Sequence, residues 1–295
     1  MVNYYKYLPV SSADESWGLS VLNTGCTHVV AGSAYPYATH PAHHYFNWEK
    51  GRVLHEFQVI YITQGGGLFD SKSSGKQTIA AGSILLLFPG ERHRYKPDKK
   101  TGWDEYWVGF DGPIIKNLLN KKFFTPANPV IPVGYHEQLL HLFQEIIDKT
   151  KEEKAGYQPL IAGTVLHMLG YIYSLSQQEK FSGQNIDDIV NKARLLFRSN
   201  IDQHISPEDV AQQLQISYSR FRKIFKEYTG LAPGQFQIQL KIHKAKELLT
   251  NTTKSAKEIA FELNFESNFY FSKLFKEKTG MTPGKFRKDH HKIDK

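Results

Sequence analysis

Cysteine is almost missing from this chain: Cys26 stands alone among 295 residues. One thiol closes no disulfide and builds no multi-cysteine metal site. A disulfide-stapled secreted scaffold is therefore excluded, a reducing cytoplasm fits, and the thiol reads as a small buried apolar residue. Long hydrophobic runs are scarce too. The N-terminus, Met1-Val2-Asn3-Tyr4-Tyr5-Lys6, holds no apolar signal core. The most apolar stretch, Leu160 to Leu175, contains Thr164, His167 and Ser174 and is shorter than the roughly 20 residues of a membrane span, so a buried helix is expected. A phosphate-binding loop is lacking, because Gly65-Gly66-Gly67 is not followed by a helix opening on Lys-Ser/Thr. No Ser/His/Asp arrangement is singled out, and no cofactor is expected.

What is present is an uneven charge. The chain is basic, with pI about 9.2, and 40% of its residues are hydrophobic, ample for the two domains that its length suggests. From Asn185 onward there are 20 Lys and Arg against 13 Asp and Glu, whereas residues 1–184 hold 17 against 16. The positive excess that would meet a polyanion thus belongs to the C-terminal part.

That part says one thing twice. Ser206-Pro207-Glu208-Asp209-Val210-Ala211, Leu214, Ile216, Phe221, Ile224-Phe225-Lys226, Thr229-Gly230, Pro233 and Phe236 return as Ser255-Ala256-Lys257-Glu258-Ile259-Ala260, Leu263, Phe265, Phe271, Leu274-Phe275-Lys276, Thr279-Gly280, Pro283 and Phe286. Val210 to Ile259 is a shift of 49 and Phe225 to Phe275 a shift of 50, so the second copy carries one extra residue between its helices. Ser206 and Ser255 are N-cap candidates with an acid three residues on, and Pro207 suits the first helical position. Each copy predicts helix, tight turn, helix, with the helix pairs at 207–229 and 256–278. The second helix of each buries its phenylalanines. Its front shows Ser219, Arg220, Arg222, Lys223 and Lys226, or Asn268, Phe269, Tyr270, Ser272, Lys273 and Lys276. An apolar back and a front of bases, hydroxyls and an amide suit the major groove of double-stranded DNA.

With Lys257-Glu258-Ile259-Ala260, Phe265, Tyr270-Phe271-Ser272, Phe275-Lys276, Gly280 and Pro283, residues 187–288 resemble the AraC/XylS family of transcription regulators. Upstream, residues 17–112 show short β-branched and aromatic runs at Val29-Val30, 57–63, 84–88 and 106–110, separated by turns at 65–67, 71–75 and 97–102. They predict a small β-sandwich or barrel. The order 82–88, Pro89-Gly90-Glu91-Arg92-His93-Arg94-Tyr95, Trp103 and 107–110 resembles the cupin sensor of the same family. Cupin enzymes hold a metal with His-x-His, Glu and a later His. Here His55-Glu56-Phe57 lacks the second His, Tyr61 stands where the Glu would be, and only His93 has a counterpart. The domain therefore reads as a binding module without metal. His40-Pro41-Ala42-His43-His44 reads as a loop at the pocket mouth.

The expected fold is multidomain α+β: an N-terminal mobile arm (1–16), a cupin-like ligand-binding barrel (17–112), helices (113–176) with apolar positions at 114–119, 139–147 and 160–172, a linker (177–186), and an all-α DNA-binding domain (187–288). The resemblance implies a homodimer through the helices after the barrel, RNA polymerase as a partner, and a small effector, most often a sugar. It assigns pocket roles to His93, Tyr95, Glu105 and Trp107, and Arg52 suits the guanidinium that a polyhydroxylated ligand would meet. The implied activity is a cytoplasmic, ligand-responsive regulator, an activator. Two competing readings are a cupin metalloenzyme with structural C-terminal helices, and a regulator that senses no small molecule.

Overall fold

The computed structural model describes residues 3–35, 48–181, 185–203 and 205–290. The histidine-rich loop 40–44 lies outside them. The chain divides into two compact units, Met1–Lys180 and Phe181–Lys295.

The first unit begins with β1 (Tyr4–Tyr7), α1 (Ser12–Ser16), β2 (Ser20–Val29) and β3 (Phe57–Ser71). It continues with β4 (Gly75–Ala80), β5 (Ser83–Leu87), β6 (His93–Pro97), β7 (Trp103–Asp111), α2 (Pro113–Asn120), β8 (Val130–Pro132), α3 (Glu137–Glu152) and α4 (Tyr157–Phe181). The antiparallel order is β1-β2-β7-β3-β5-β8, and the far half of β3 pairs with β4 and β6. Strand alternation sorts the side chains. Phe57, Val59, Tyr61, Tyr106, Val108 and Phe110 face outward into a core with α3 and α4, while Ile60, Ile62, Phe69, Leu85, Leu87, Tyr95 and Trp103 form the inner core.

Four expectations are corrected. The mobile arm is instead a strand: Tyr4–Tyr7 pairs with Cys26–Asn23, and Lys6 reaches α3 through the Thr150 carbonyl at 2.8 Å and Glu153 at 3.0 Å. The triple glycine is not a turn but a bend inside β3. Gly65 sits at φ 74°, and a Cβ there would lie 2.1 Å from the Gly102 carbonyl oxygen; at Gly67 it would lie 2.2 Å from that of Lys96. Only glycine lets the strand pass so close to its neighbours while it leaves one sheet for the other. The linker is shorter than 177–186, because Gln177 to Phe181 continue α4 and α5 opens at Ile186. Gln, Glu and Lys are good helix formers, so polarity there marked an exposed helical turn and not a break. Finally, the apolar helix is not too short to span a membrane, since it runs for 25 residues. Burial decides its role: Ile161, Ala162, Val165, Met168, Leu169 and Ile172 all lie in the core behind the sheet.

The second unit comprises α5 (Ile186–Ser199), α6 (Pro207–Gln213), α7 (Tyr218–Thr229), α8 (Pro233–Asn251), α9 (Ala256–Glu262), α10 (Asn268–Thr279) and α11 (Pro283–His290). Both capping boxes form, Ser206 with Asp209 and Ser255 with Glu258. Two separate cores result. Phe197, Phe221, Phe225 and Phe236 fill the first, and Phe271, Phe275, Leu249 and Phe286 the second. α8 serves both, giving Phe236 and Leu240 to one and Ala245 and Leu248 to the other. The extra residue of the second copy is Glu266. Gln215 and Asn264 hold equivalent left-handed turn positions, at φ 56° and 50°, but the N-caps of the following helices are Ser217 and Ser267.

Candidate functional site

The inner face of the sheet carries one connected set of buried and half-buried polar groups. Arg52 bridges by its backbone to His93. Its guanidinium donates to the Tyr95 hydroxyl at 2.6 Å, to Gln58 Oε1 at 3.3 Å and to His93 Nε2 at 3.3 Å. Gln58 passes the chain on to Asn23 Oδ1 at 3.3 Å, and Asn23 to Glu56 at 3.4 Å. Glu105 lies 6% exposed on the same face and accepts from the Tyr35 hydroxyl at 3.1 and 3.3 Å. Tyr35 in turn meets the Trp103 ring edge-on at 5.5 Å.

Burial sets the protonation of these groups. It pushes Glu105 up to about 7, with the Tyr35 hydrogen bond and the Arg52 charge acting against it. It pushes His93 down to about 3, and the Arg52 charge adds to that shift. A neutral His93 fits its bonds, donating from Nδ1 to the Glu91 carbonyl at 3.0 Å and accepting from Arg52 at Nε2. The nitrogen that a metal would take therefore faces a guanidinium. Tyr95 is raised to about 12, again by burial first.

The five expected pocket residues separate slightly. Arg52, His93 and Tyr95 touch one another, and Glu105 joins them through the neighbouring Tyr35. Trp107 shares their face but is half-buried against the inner core, its ring lying over Gly25, where an added Cβ would come within 2.3 Å. Phe57 and Tyr61, read above as standing at metal-ligand positions, are on the wrong face for that. The Tyr61 hydroxyl donates to the Gly134 carbonyl at 2.9 Å, on the helix side. Sequence reasoning missed Asn23, Tyr35 and Gln58. Gln58 had a signal, as the one polar residue in the buried run Phe57-Gln58-Val59-Ile60-Tyr61-Ile62. Tyr35 had none, because its contact with Glu105 spans 70 residues. Beside this network a cavity of about 670 Å³ opens between Val30, Tyr35, Gly67, Leu68, Ile79 and Lys96.

In the second unit, the fronts of α7 and α10 carry the other expected set. Ser217 and Ser267 cap the two helices and Gly230 and Gly280 end them in the left-handed conformation. Phe221, Ile224 and Phe225, or Phe271, Leu274 and Phe275, are buried, which turns the remaining positions outward. Ser219, Arg220, Arg222, Lys223, Lys226, Asn268, Lys273 and Lys276 are exposed, and Phe269 is 79% exposed. Tyr270 and Ser272 are half-buried, and Tyr270 packs against Phe265 at 6.5 Å. Among the described residues no carboxylate pairs with Arg220, Arg222, Lys223, Lys226, Lys273 or Lys276. A surface of unneutralised cations set on rigid helices is ready to displace counterions from a phosphate backbone.

Comparison with known proteins covers both units. Residues 31–169 match the AraC-like ligand binding domain, and residues 210–289 match a helix-turn-helix domain. The chain is 28% identical over 226 residues to the lactose operon transcription activator of Staphylococcus xylosus, covering 75% of this chain and 79% of that protein. It is 27% identical over 229 residues to the HTH-type transcriptional activator RhaR of Mannheimia succiniciproducens, covering 74% and 80%. A solved AraC-type DNA-binding regulator from Chromobacterium violaceum is 26% identical, with a TM-score of 0.34 over 37% of this chain and 96% of that one. The relatives are named as regulators, so the metalloenzyme reading is set aside and the chain is not an enzyme. With an AraC-like ligand-binding domain ahead of an AraC-type tandem helix-turn-helix, this DNA-binding transcription regulator belongs to the AraC/XylS family.

Proposed function

We propose that this chain is a cytoplasmic transcription activator whose DNA binding answers to a small polyhydroxylated effector, most simply a sugar. The carrying observation is the network in which half-buried Arg52 joins buried Gln58, Asn23, Tyr95 and His93, with buried Glu105 nearby, on the inner face of the sheet. So many donors and acceptors gathered on one apolar wall match a ligand that is neutral and rich in hydroxyls, and Trp107 offers a ring for its apolar face. The names of the relatives, a lactose operon transcription activator and a raffinose operon transcriptional regulatory protein among them, support an activator and a sugar. Arg222 and Lys223 on α7, and Asn268 and Lys273 on α10, are proposed to read base edges. Lys226 and Lys276 lie further along and meet phosphate. Two subunits pair through helices of the N-terminal unit, where Leu160 of α4 is 49% exposed, and the bound regulator recruits RNA polymerase.

The test is a thermal-shift screen of the full-length protein against a sugar library, repeated with Trp107→Ala. A hit should raise the melting temperature of the wild type and leave the variant unmoved, while the variant still binds DNA. A variant that cannot fold makes Trp107 a packing residue. A library without a single hit supports the reading in which no small sugar is sensed.

A further inference from the structure

The two recognition helices are carried by separate cores, and separate cores joined by one helix leave their relative setting open to bending. The junction is nevertheless crossed by specific bonds. Lys241, in the middle of α8, is 8% exposed, and its ammonium donates to the Asn264 carbonyl at 3.0 Å. It also lies over the Phe265 ring at 5.5 Å. No carboxylate pairs with it among the described residues. Burying an ammonium costs free energy, and burial lowers the pKa of this one. A methionine or leucine would fill the same space without that cost, so stability alone does not account for a lysine here.

Asn264 is the left-handed turn residue of the second helix-turn-helix, at φ 50°. Its side-chain amide donates 2.6 Å to the carbonyl of Asp202, 62 residues earlier, in the connection between α5 and α6 of the first core. Gln237, four residues before Lys241 and so on the same side of α8, donates 2.6 Å to Ile205 in that same connection. The connecting helix thus grips the first core with Gln237 and the second with Lys241, and Asn264 closes the triangle directly between them.

We propose that Lys241 and Asn264 form a brace that fixes the spacing and angle of α7 relative to α10, making them positioning residues for tandem DNA reading. The proposal rests on the reading that both helices enter the groove. A rigid brace has a consequence that a purely stabilising contact lacks. One inserted base pair moves a half-site by about 3.4 Å and turns it by about a tenth of a helical turn, and a braced pair of helices cannot follow.

The experiment uses the full-length protein. A duplex is first selected from a randomised library with the wild type. Affinity is then measured by fluorescence anisotropy on that duplex and on versions with one base pair inserted or removed between the half-sites. The wild type should lose about tenfold at either altered spacing. In Asn264→Gly, where glycine keeps the left-handed turn, and in Lys241→Met, the penalty should shrink to about threefold, with the preferred bases of each half-site unchanged. Equal weakening at all three spacings would mark both residues as structural and overturn the proposal, as would an unchanged penalty. A wild type indifferent to spacing would instead remove the tandem reading underneath it. Asn264 is exposed, so its variant folds even should Lys241→Met fail, and Asn264→Gly alone then decides.

Discussion

Arg52 and Arg222 are the same residue type set in opposite surroundings. Arg52 is half-buried against the sheet of the first unit, and its guanidinium donates to Gln58, Tyr95 and His93. Arg222 is exposed on α7, and among the described residues no carboxylate forms an ion pair with it. Under the function proposed above, the difference follows from what each unit would hold. A neutral ligand is recognised by many directed, desolvated hydrogen bonds, whose strength depends on protonation state and little on salt. A polyanion is recognised by cations left unpaired, whose contribution is counterion release and falls steeply with salt. The two units should therefore answer to different solution variables.

The largest effect expected is that of salt. If the two recognition helices and their flanks make about 6–10 phosphate contacts, affinity for the selected duplex should fall by roughly a thousandfold or more between 50 and 200 mM salt. The thermal shift caused by an effector should hardly move over the same range. Comparable salt dependence at both sites would erase the contrast.

Next comes pH, acting on the first unit through Glu105. Its carboxyl ionises near 4.5 in the unfolded chain and near 7 in the fold, so the fold favours the protonated form. That contribution is full below about 4.5 and is lost as pH rises through 7. Glu105→Gln still accepts from Tyr35 and cannot ionise. It should be more stable than the wild type at pH 8, by up to roughly 3 kcal/mol, and should lose that advantage near pH 4.5. Urea midpoints at the two pH values measure it. His93 works in the other direction: with its ionisation lowered from 6.5 to about 3, its contribution is present above 6.5 and is lost as pH falls toward 3. A Glu105→Gln variant less stable than the wild type at pH 8 would mean that the carboxylate is favoured where it lies.

A third contrast lies within the second unit. The front of α7 is cationic, whereas that of α10 mixes an amide, an exposed phenyl ring and two lysines. Arg222→Ala should cost about 1–3 kcal/mol of DNA binding and relax the preference at one base pair, more than Asn268→Ala does. Binding-site selection with each variant checks this, and a larger shift from Asn268→Ala would reverse the assignment. The smallest effect is reserved for Lys226→Ala and Lys276→Ala. Each should weaken all sequences alike and flatten the salt slope by about one.

How much of this was legible from sequence differed between the two units for a physical reason. The helix pairs are local. An N-cap serine, an acid three residues on, a phenylalanine back and a closing glycine all act within about a dozen residues, so reading them off the chain places α6, α7, α9 and α10 correctly. Glycine, on the other hand, misled. Gly65-Gly66-Gly67 carries a turn-like composition, yet its conformation is set by carbonyls of residues 96 and 102 that sequence adjacency does not show. The polar network on the inner face was half legible: Arg52, His93, Tyr95 and Glu105 were named, but Tyr35, Asn23 and Gln58 join it through contacts between residues far apart along the chain.

By itself the sequence determined the repeat, the capping of its helices, the outward charge of their fronts and the alternation of the strands, because all of these follow from backbone period and near neighbours. Only the tertiary structure decided which strand face looks inward, and so why Gln58 joins the polar network of Arg52 while Tyr61 belongs to the helix side. It alone tied the N-terminal residues into the sheet, brought Tyr35 onto Glu105, and set Asn264 against Asp202. Those choices join residues distant along the chain, and what selects them is the packing of two whole faces at once, a quantity that no local stretch contains.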